Sequence, residues 1–208
     1  MQAPPSENAF SLGVVILAAG RSVRMGRPKL LLPWAGTSIL GHLLDHWRRL
    51  RATQIAVVCA PDNPDVLGEL ARLNLPTGDI IKNPDPDQGM FSSIKCAANW
   101  QRWNATLTHW ALVLGDQPHL RESTLQAALD LAAAQPQKVV QPARAGHRRH
   151  PVLLPRSEFI RLAKSSDSNL NQFLHGCSIT VFESDDPGLD LDIDRPEDYE
   201  KALRLAST

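Results

Sequence analysis

Residues 12–29 read LGVVILAAGRSVRMGRPK, and the fold class follows from how this stretch changes character midway. Leu12 to Ala18 is an unbroken apolar run rich in Val and Ile, the pattern of a strand buried on both faces as in a parallel sheet. It stops at Ala19-Gly20 and gives way to Arg21, Arg24, Arg27 and Lys29. Small residues at Ala18, Ala19 and Gly20 let a ligand approach the backbone closely, and successive N–H groups there can form a nest for an anion. Arg24 and Lys29 add positive charge. The loop is not a Walker A motif, because Lys29 lies three residues past Gly26 and is followed by Leu, and it does not match G-x-G-x-x-G. An ordinary strand-to-helix turn with solvated arginines uses the same residues, and that reading stays open at this point.

Working outward, helical spacing begins near Thr37: Ile39, Leu40, Leu43, Leu44, Trp47 and Leu50 share one face, with Thr37 or Ser38 as the cap. Gln54 to Ala60 reads as a second buried strand, Asn63 to Leu73 as a helix, and Asp79 to Lys82 as a short strand. Ser92 to Trp103 reads as a helix, Trp110 to Leu114 as a strand, Glu122 to Ala134 as a helix, and Lys138 to Gln141 as a strand. Pro151 to Leu154 and Ser178 to Phe182 add strands, with helical turns at Glu158 to Lys164 and Asn169 to Leu174 between them. This alternation predicts an α/β fold: a Rossmann-like three-layer α/β/α sandwich with a mainly parallel sheet. At 208 residues the chain fits one domain, expected over 12–208, with residues 1–11 as a disordered tail.

Lys plus Arg and Asp plus Glu balance at 22 each, so no global field draws the protein to nucleic acid or to an anionic membrane. No apolar run approaches the roughly 20 residues needed to span a bilayer. The N-terminus lacks the marks of a signal or transit peptide, and Cys59, Cys96 and Cys177 form no C-x-x-C, so a cytoplasmic protein is expected.

In parallel sheets ligands sit beyond the carboxyl ends of the strands, which directs attention to the following loops. Leu112 to Pro118 reads L-V-L-G-D-Q-P, where Asp116 follows a strand by one Gly; such a carboxylate can hold Mg²⁺, which takes one or two carboxylates plus phosphate oxygens and water. A turn or helix start is the competing use. Leu189 to Tyr199 reads L-D-L-D-I-D-R-P-E-D-Y, and strict alternation puts Asp190, Asp192 and Asp194 on one face, where a cation or basic partner must offset them. Asp194 and Glu197 also resemble a capping box with Pro196 in the first turn, so cap and metal ligand both stand. Asn83 to Ser93, N-P-D-P-D-Q-G-M-F-S-S, runs into a helix start suited to polar contacts with a base, ribose or phosphate. Gly146 to Val152, G-H-R-R-H-P-V, suits a second anionic substrate or a solvated basic turn. His42 and His46 lack a metalloprotease glutamate and are expected off the apolar face, and no G-x-S-x-G appears, so zinc and hydrolase readings are disfavoured.

Taken together, the motifs at Leu17 to Leu30, Asn83 to Ser93, Leu114 to Pro118, His150 to Val152 and Asp192 to Tyr199 resemble the MobA-like NTP transferases, in that family's motif order from about Leu12 onward. The resemblance implies a nucleotide-diphospho-sugar transferase fold and transfer of a nucleotidyl group from an NTP to a phosphate-bearing acceptor, with release of pyrophosphate. It implies that Leu17, Ala18, Ala19 and Gly20 contact the nucleotide and that Arg24 and Lys29 meet its phosphates, forming the catalytic set with Asp116. Asp116 would bind Mg²⁺ with Asp192 or Asp194, while Gln88, Gly89, Ser92 and Ser93 would line the nucleotide pocket. Arg149, His150 and Pro151 would face the acceptor.

Leu-Ala-Ala-Gly, rather than Leu-Ala-Gly-Gly, is similar to the family's molybdenum cofactor cytidylyltransferase branch. That likeness implies CTP and molybdopterin as substrates, transfer of CMP, and a molybdoenzyme or its maturation factor as a transient partner. Transfer to another phosphorylated acceptor such as a sugar phosphate, and a non-catalytic nucleotide-binding maturation factor, are the alternatives. Arg149 stands where Gly is usual in this branch and Arg195 where Thr is usual. A phosphate monoester is already anionic at neutral pH, so such a transfer needs charge neutralisation and alignment rather than a general base.

Overall fold

The computed structural model describes residues 10–206. In chain order the elements are β1 (Leu12–Leu17), β2 (Pro33–Trp34), β3 (Thr37–Ser38), α1 (Ile39–Arg49), β4 (Gln54–Cys59), α2 (Pro64–Arg72), β5 (Ile80–Lys82) and α3 (Met90–Ala98). They continue with β6 (His109–Leu114), α4 (Glu122–Ala134), β7 (Val139–Arg144), β8 (His147–Arg148) and β9 (Val152–Pro155). The last are α5 (Arg156–Ala163), α6 (Leu170–Leu174), β10 (Ile179–Glu183) and α7 (Pro196–Ala206). The main sheet runs β10-β7-β9-β6-β1-β4-β5, with β8 added as a hairpin partner of β7. β6, β1, β4 and β5 are mutually parallel, as are β7 and β10, while β9 is antiparallel to both of its neighbours.

Period-two alternation in β1 builds the two cores. Val14 and Ile16 face a cluster with Leu40, Leu44 and Trp47 of α1 and Leu125 of α4, whereas Val15 faces Phe91 and Ile94 of α3 and Phe159 of α5. Helices therefore cover both faces, as the apolar runs predict. Ser38 caps α1 by accepting the Gly41 N–H at 2.9 Å. The sequence reading of α1 needs one correction. His46 is buried at 5 % exposure, because α4 adds a second wall where Glu122 approaches its ring at 3.6 Å. The hairpin β2-β3, turning through Ala35 and Gly36 at positive φ, is too short to show in a periodicity reading.

Most of the tail expected over residues 1–11 lies outside the described residues. Its last two positions are described and packed: Phe10 lies 4.8 Å from the His109 ring centroid, and the Ser11 N–H donates to Thr108 Oγ1 at 3.0 Å. Among the described residues no helix is long and apolar enough to cross a membrane.

The topology fixes where a ligand can sit. From β1 the chain steps through β4 to β5 on one side, and α3 then carries it back to place β6 on the other side. The strand order reverses between β1 and β6, and the crevice beyond their carboxyl ends is the ligand position of an open α/β sheet. The loops after Leu17 and Leu114, which are register partners, meet there.

Candidate active site

Gly115 sets the spacing of this crevice. Its N–H donates to the Leu17 carbonyl at 3.1 Å, and a Cβ on it would come within 2.7 Å of that same oxygen. Only a residue without a side chain lets the two loops approach so closely. Asp116, next in the chain, is thereby held beside the basic loop that follows β1. Lys29, in a 3₁₀ turn, sends its Nζ to Asp116 Oδ2 at 2.7 Å and to Asp194 Oδ1 at 3.1 Å. Arg24 reaches the other oxygen of Asp194 at 2.6 Å from a largely exposed position.

The C-terminal segment is laced to the same loop. The Ile193 N–H donates to the Asp116 carbonyl at 3.1 Å, and Gln117 Nε2 donates to Asp192 Oδ1 at 2.9 Å. His119 is buried, with Nε2 placed 3.1 Å from the Gly188 carbonyl and 3.0 Å from that of Leu191. Asp116 and Asp194 thus share one ammonium, while Asp192 is held beside them by Gln117. Burial acts to lower the Lys29 pKa, but Asp116 and Asp194 outweigh it and hold the group above the ordinary lysine value. Packing around the Asp192 carboxyl raises its pKa, and the neighbouring Asp116 adds to the rise.

Two expectations for this segment are corrected. Pro187 to Asp190 forms a 3₁₀ turn that breaks the alternation, so Asp190 does not share a face with Asp192 and Asp194 but pairs with Arg144 and Arg149. Asp194 is not the helix cap either. Asp198, not Glu197, makes the capping-box back-bond by accepting the Arg195 N–H at 3.0 Å, so the box starts one residue later and Asp194 pairs with the two cations.

Among the described residues no three His, Cys, Asp or Glu side chains form a ready-made metal cage. Asp116 and Asp194 nevertheless converge on one point, now held by the Lys29 ammonium, and two carboxylates are what Mg²⁺ takes from protein when phosphate oxygens and water complete its shell. The donor set fits such an ion.

On the other side of the basic loop lies a cavity of about 300 Å³ lined by Ala19, Gly20 and Ser22 and by Ala60, Asp62 and Asn63 of the loop after β4. A Cβ on Gly20 would meet nothing within 4 Å, so neither packing nor turn strain calls for glycine there; the free space belongs to the cavity. Within the described residues no acceptor faces the backbone N–H of Gly20, Arg21 or Ser22. Pro28 and Leu30 also line the cavity, while Lys29 between them turns to the carboxylates. Asp62 and Asn63 escaped the sequence reading; their signal was a Pro-Asp-Asn-Pro loop at the carboxyl end of a strand next to β1.

The loop from Asn83 to Ser93 adjoins this cavity without lining it, and the Arg21–Asp87 ion pair at 3.0 Å ties the two loops together. Buried Asn83 donates to Ser92 Oγ at 2.7 Å and to Ser93 Oγ at 2.9 Å, so Ser93 faces inward. Gln88 donates to Asp85 at 2.5 Å. Gly89, at φ 85° and ψ −179°, occupies a region open to glycine alone and starts α3.

Arg149, His150 and Pro151 precede β9. His150 Nδ1 lies 3.3 Å from the Leu112 carbonyl, and burial lowers its pKa. Pro151 is buried. The Arg149 guanidinium is drawn aside to Asp190 at 2.8 Å.

Known proteins are similar to this chain in sequence and in fold. The molybdenum cofactor cytidylyltransferase of Escherichia coli is 27% identical over 191 residues, covering 91% of this chain and 94% of that one. The bifunctional protein GlmU of Azorhizobium caulinodans is 48% identical over 65 residues, but the match covers only 30% of this chain and 14% of that protein. Among solved structures, Rv0371c of Mycobacterium tuberculosis superposes with a TM-score of 0.72 at 27% identity, covering 96% of this chain and 100% of that one. Rv0371c has also been solved in complex with manganese, at a TM-score of 0.67 and 25% identity, covering 94% of this chain and 99% of that one. The model of the MobA-like NTP transferase domain matches residues 14–181, spanning β1, the basic loop, Asp116 and the β7-β8 hairpin. The nucleotidyltransferase fold is thus accounted for by descent as well as by geometry: the chain belongs to the MobA-like NTP transferases.

Proposed function

We propose that the protein transfers CMP from CTP to the phosphate of molybdopterin, releasing pyrophosphate. The observation that carries the reading is the cluster of Lys29, Arg24, Asp116 and Asp194 beside the Gly20 cavity, at the point where the strand order reverses. Support for the cytidylyl choice comes from Leu17-Ala18-Ala19-Gly20 and from the similarity to the Escherichia coli molybdenum cofactor cytidylyltransferase along nearly the whole chain.

In this reading the nucleoside enters the cavity between Gly20 and Asn63, and the free N–H groups after Ala19 meet phosphate oxygens. Gln88, Gly89 and Ser92 border the nucleotide from the adjoining loop, with Ser93 supporting them through Asn83. Arg24 and Lys29 shift from the carboxylates to the β- and γ-phosphates and neutralise the departing pyrophosphate. Asp116 with Asp194, or with Asp192, would hold Mg²⁺, which supplies charge neutralisation at the phosphate oxygens. An oxygen of the acceptor's phosphate attacks the α-phosphorus, a new P–O bond forms, and the bond from the α-phosphorus to the bridging oxygen breaks toward pyrophosphate. No side chain needs to remove a proton, because the attacking oxygen is already anionic. The protein's part is to overcome repulsion between two anions and to align them.

Pyrophosphate release with each of the four NTPs, with and without molybdopterin, tests the reading. Turnover with CTP and molybdopterin together is expected. Turnover with a sugar phosphate in place of molybdopterin assigns another acceptor, and nucleotide binding without release points to a maturation factor.

A further inference from the structure

Beside the carboxylate cluster sits a second charged group that the transfer just described does not use. β7 and β6 both run antiparallel to β9 between them, so the carboxyl end of β7, where Arg144 lies, opens on the same rim as Asp116. Arg149 follows the short hairpin strand β8 and returns to this rim. Arg144 Nε meets Asp190 Oδ2 at 2.9 Å, and Arg149 meets Asp190 Oδ1 through Nη2 at 2.8 Å and Nε at 2.9 Å. Two guanidinium groups share one carboxylate, leaving one positive charge in excess.

The frame around the trio is firm. Asp186, 1 % exposed, accepts the Arg121 N–H, the Thr124 hydroxyl and the Gly188 N–H, and His119 binds the Gly188 and Leu191 carbonyls on either side of Asp190. Arg144 is also held by the Asp185 carbonyl at 2.8 Å. Both arginines are about one-third exposed and Asp190 somewhat more, so an anion from solution can reach what Asp190 now occupies. A pair of planar forks converging on one oxyanion from two sides is the arrangement by which arginines take a phosphate.

We propose that Arg144 and Arg149 form an anion clamp for the phosphorylated acceptor, with Asp190 as a built-in occupant that the acceptor's phosphate displaces. The clamp rests on the reading that a phosphate-bearing acceptor docks on this rim, and it gives Arg149 a definite chemistry: recognition of a phosphate monoester. Asp190 tunes the clamp, since it keeps the forks oriented in the free protein and sets the affinity an incoming anion must exceed.

Inorganic phosphate is the probe, titrated calorimetrically into the full chain without nucleotide or pterin. Asp190→Asn is expected to tighten phosphate binding about 10-fold, and Arg149→Gly and Arg144→Gln to weaken it by about the same factor, the scale of one charge-assisted contact. Asp185→Asn, which removes an equal charge from a nearly fully exposed neighbour, is the control and leaves the affinity unchanged. Equal affinities in wild type and all three clamp variants overturn the clamp, as does tightening by Asp185→Asn equal to that by Asp190→Asn, which marks a diffuse charge effect. Should Asp190→Asn fail to fold, the two arginine variants decide alone. Because no nucleotide or pterin is present, a negative result in the pyrophosphate assay leaves this test standing, and equal phosphate affinities sink the clamp without touching the CTP assignment.

Discussion

Lys29→Met removes a cation and keeps most of its apolar stem. The lost contacts are two charge-assisted hydrogen bonds, at 2.7 Å to Asp116 and 3.1 Å to Asp194, made by a side chain only 13% exposed. Hydrogen bonds to charged groups contribute about 1.5–3 kcal/mol each. The partners keep 21% and 31% exposure, so the lower end applies, giving roughly 3 kcal/mol for the pair. For a chain of this size that amounts to a fall in Tm of about 6–12 °C. Scanning calorimetry on Lys29→Met, Asp116→Asn and the double variant closes a cycle whose coupling is expected at about 1.5 kcal/mol. The pH sign is fixed by the raised folded-state pKa: Lys29 stabilises fully below the ordinary lysine value of 10.5 and loses its effect as pH climbs through the higher folded value. A Tm drop below about 1 °C with zero coupling would refute the reasoning, because it would mean the ammonium is no better placed in the fold than in water.

Asp116→Ala should lower turnover by about two to four orders of magnitude in the pyrophosphate assay, the scale of losing a main electrostatic contributor, and wild-type turnover would remove Asp116 from the site. Burial holds His46 and His109 down to about 4. The unfolded chain binds protons first, so their stabilisation is complete above about 6.5 and is lost as pH falls toward 4, by up to about 3 kcal/mol each. Urea midpoints should therefore fall between pH 6.5 and 5, with His109→Gln flattening the slope; a flat wild-type profile contradicts it. Gly115→Ala drives a Cβ against the Leu17 carbonyl and the Leu30 side chain, so thermal unfolding should show a loss of about 1–3 kcal/mol. An unchanged Tm would mean that the two loops can part freely.

The sheet was legible because buried parallel strands write themselves as continuous apolar runs, and Gly13–Leu17, Ile55–Cys59 and Trp110–Leu114 all do so. The loops were legible by the same logic, since small residues and charges directly after such runs have few structural uses. What the chain order hides is which charges meet. Lys29 joins Asp116 across 87 positions and Asp194 across 165, and no local pattern encodes such a contact. Periodicity even misled at Asp190, because a 3₁₀ turn rotates it away from its alternate neighbours. The capping pattern was off by one residue at Asp194, because Asp198 rather than Glu197 makes the back-bond, to the Arg195 N–H.

Arg149 shows how such hidden pairings change a functional reading. On the sequence alone it is a long cation expected to face the acceptor, with no sign of what would hold it there. Asp190, 41 residues away, meets its guanidinium together with that of Arg144. The cation thus comes with its own counter-charge, built into a segment that His119 and Asp186 hold in place. A residue that merely blocked the rim would need no such frame. The pairing keeps the guanidinium extended and orientated on the Asp116 side of the sheet, which is the condition for binding an anion there rather than excluding one.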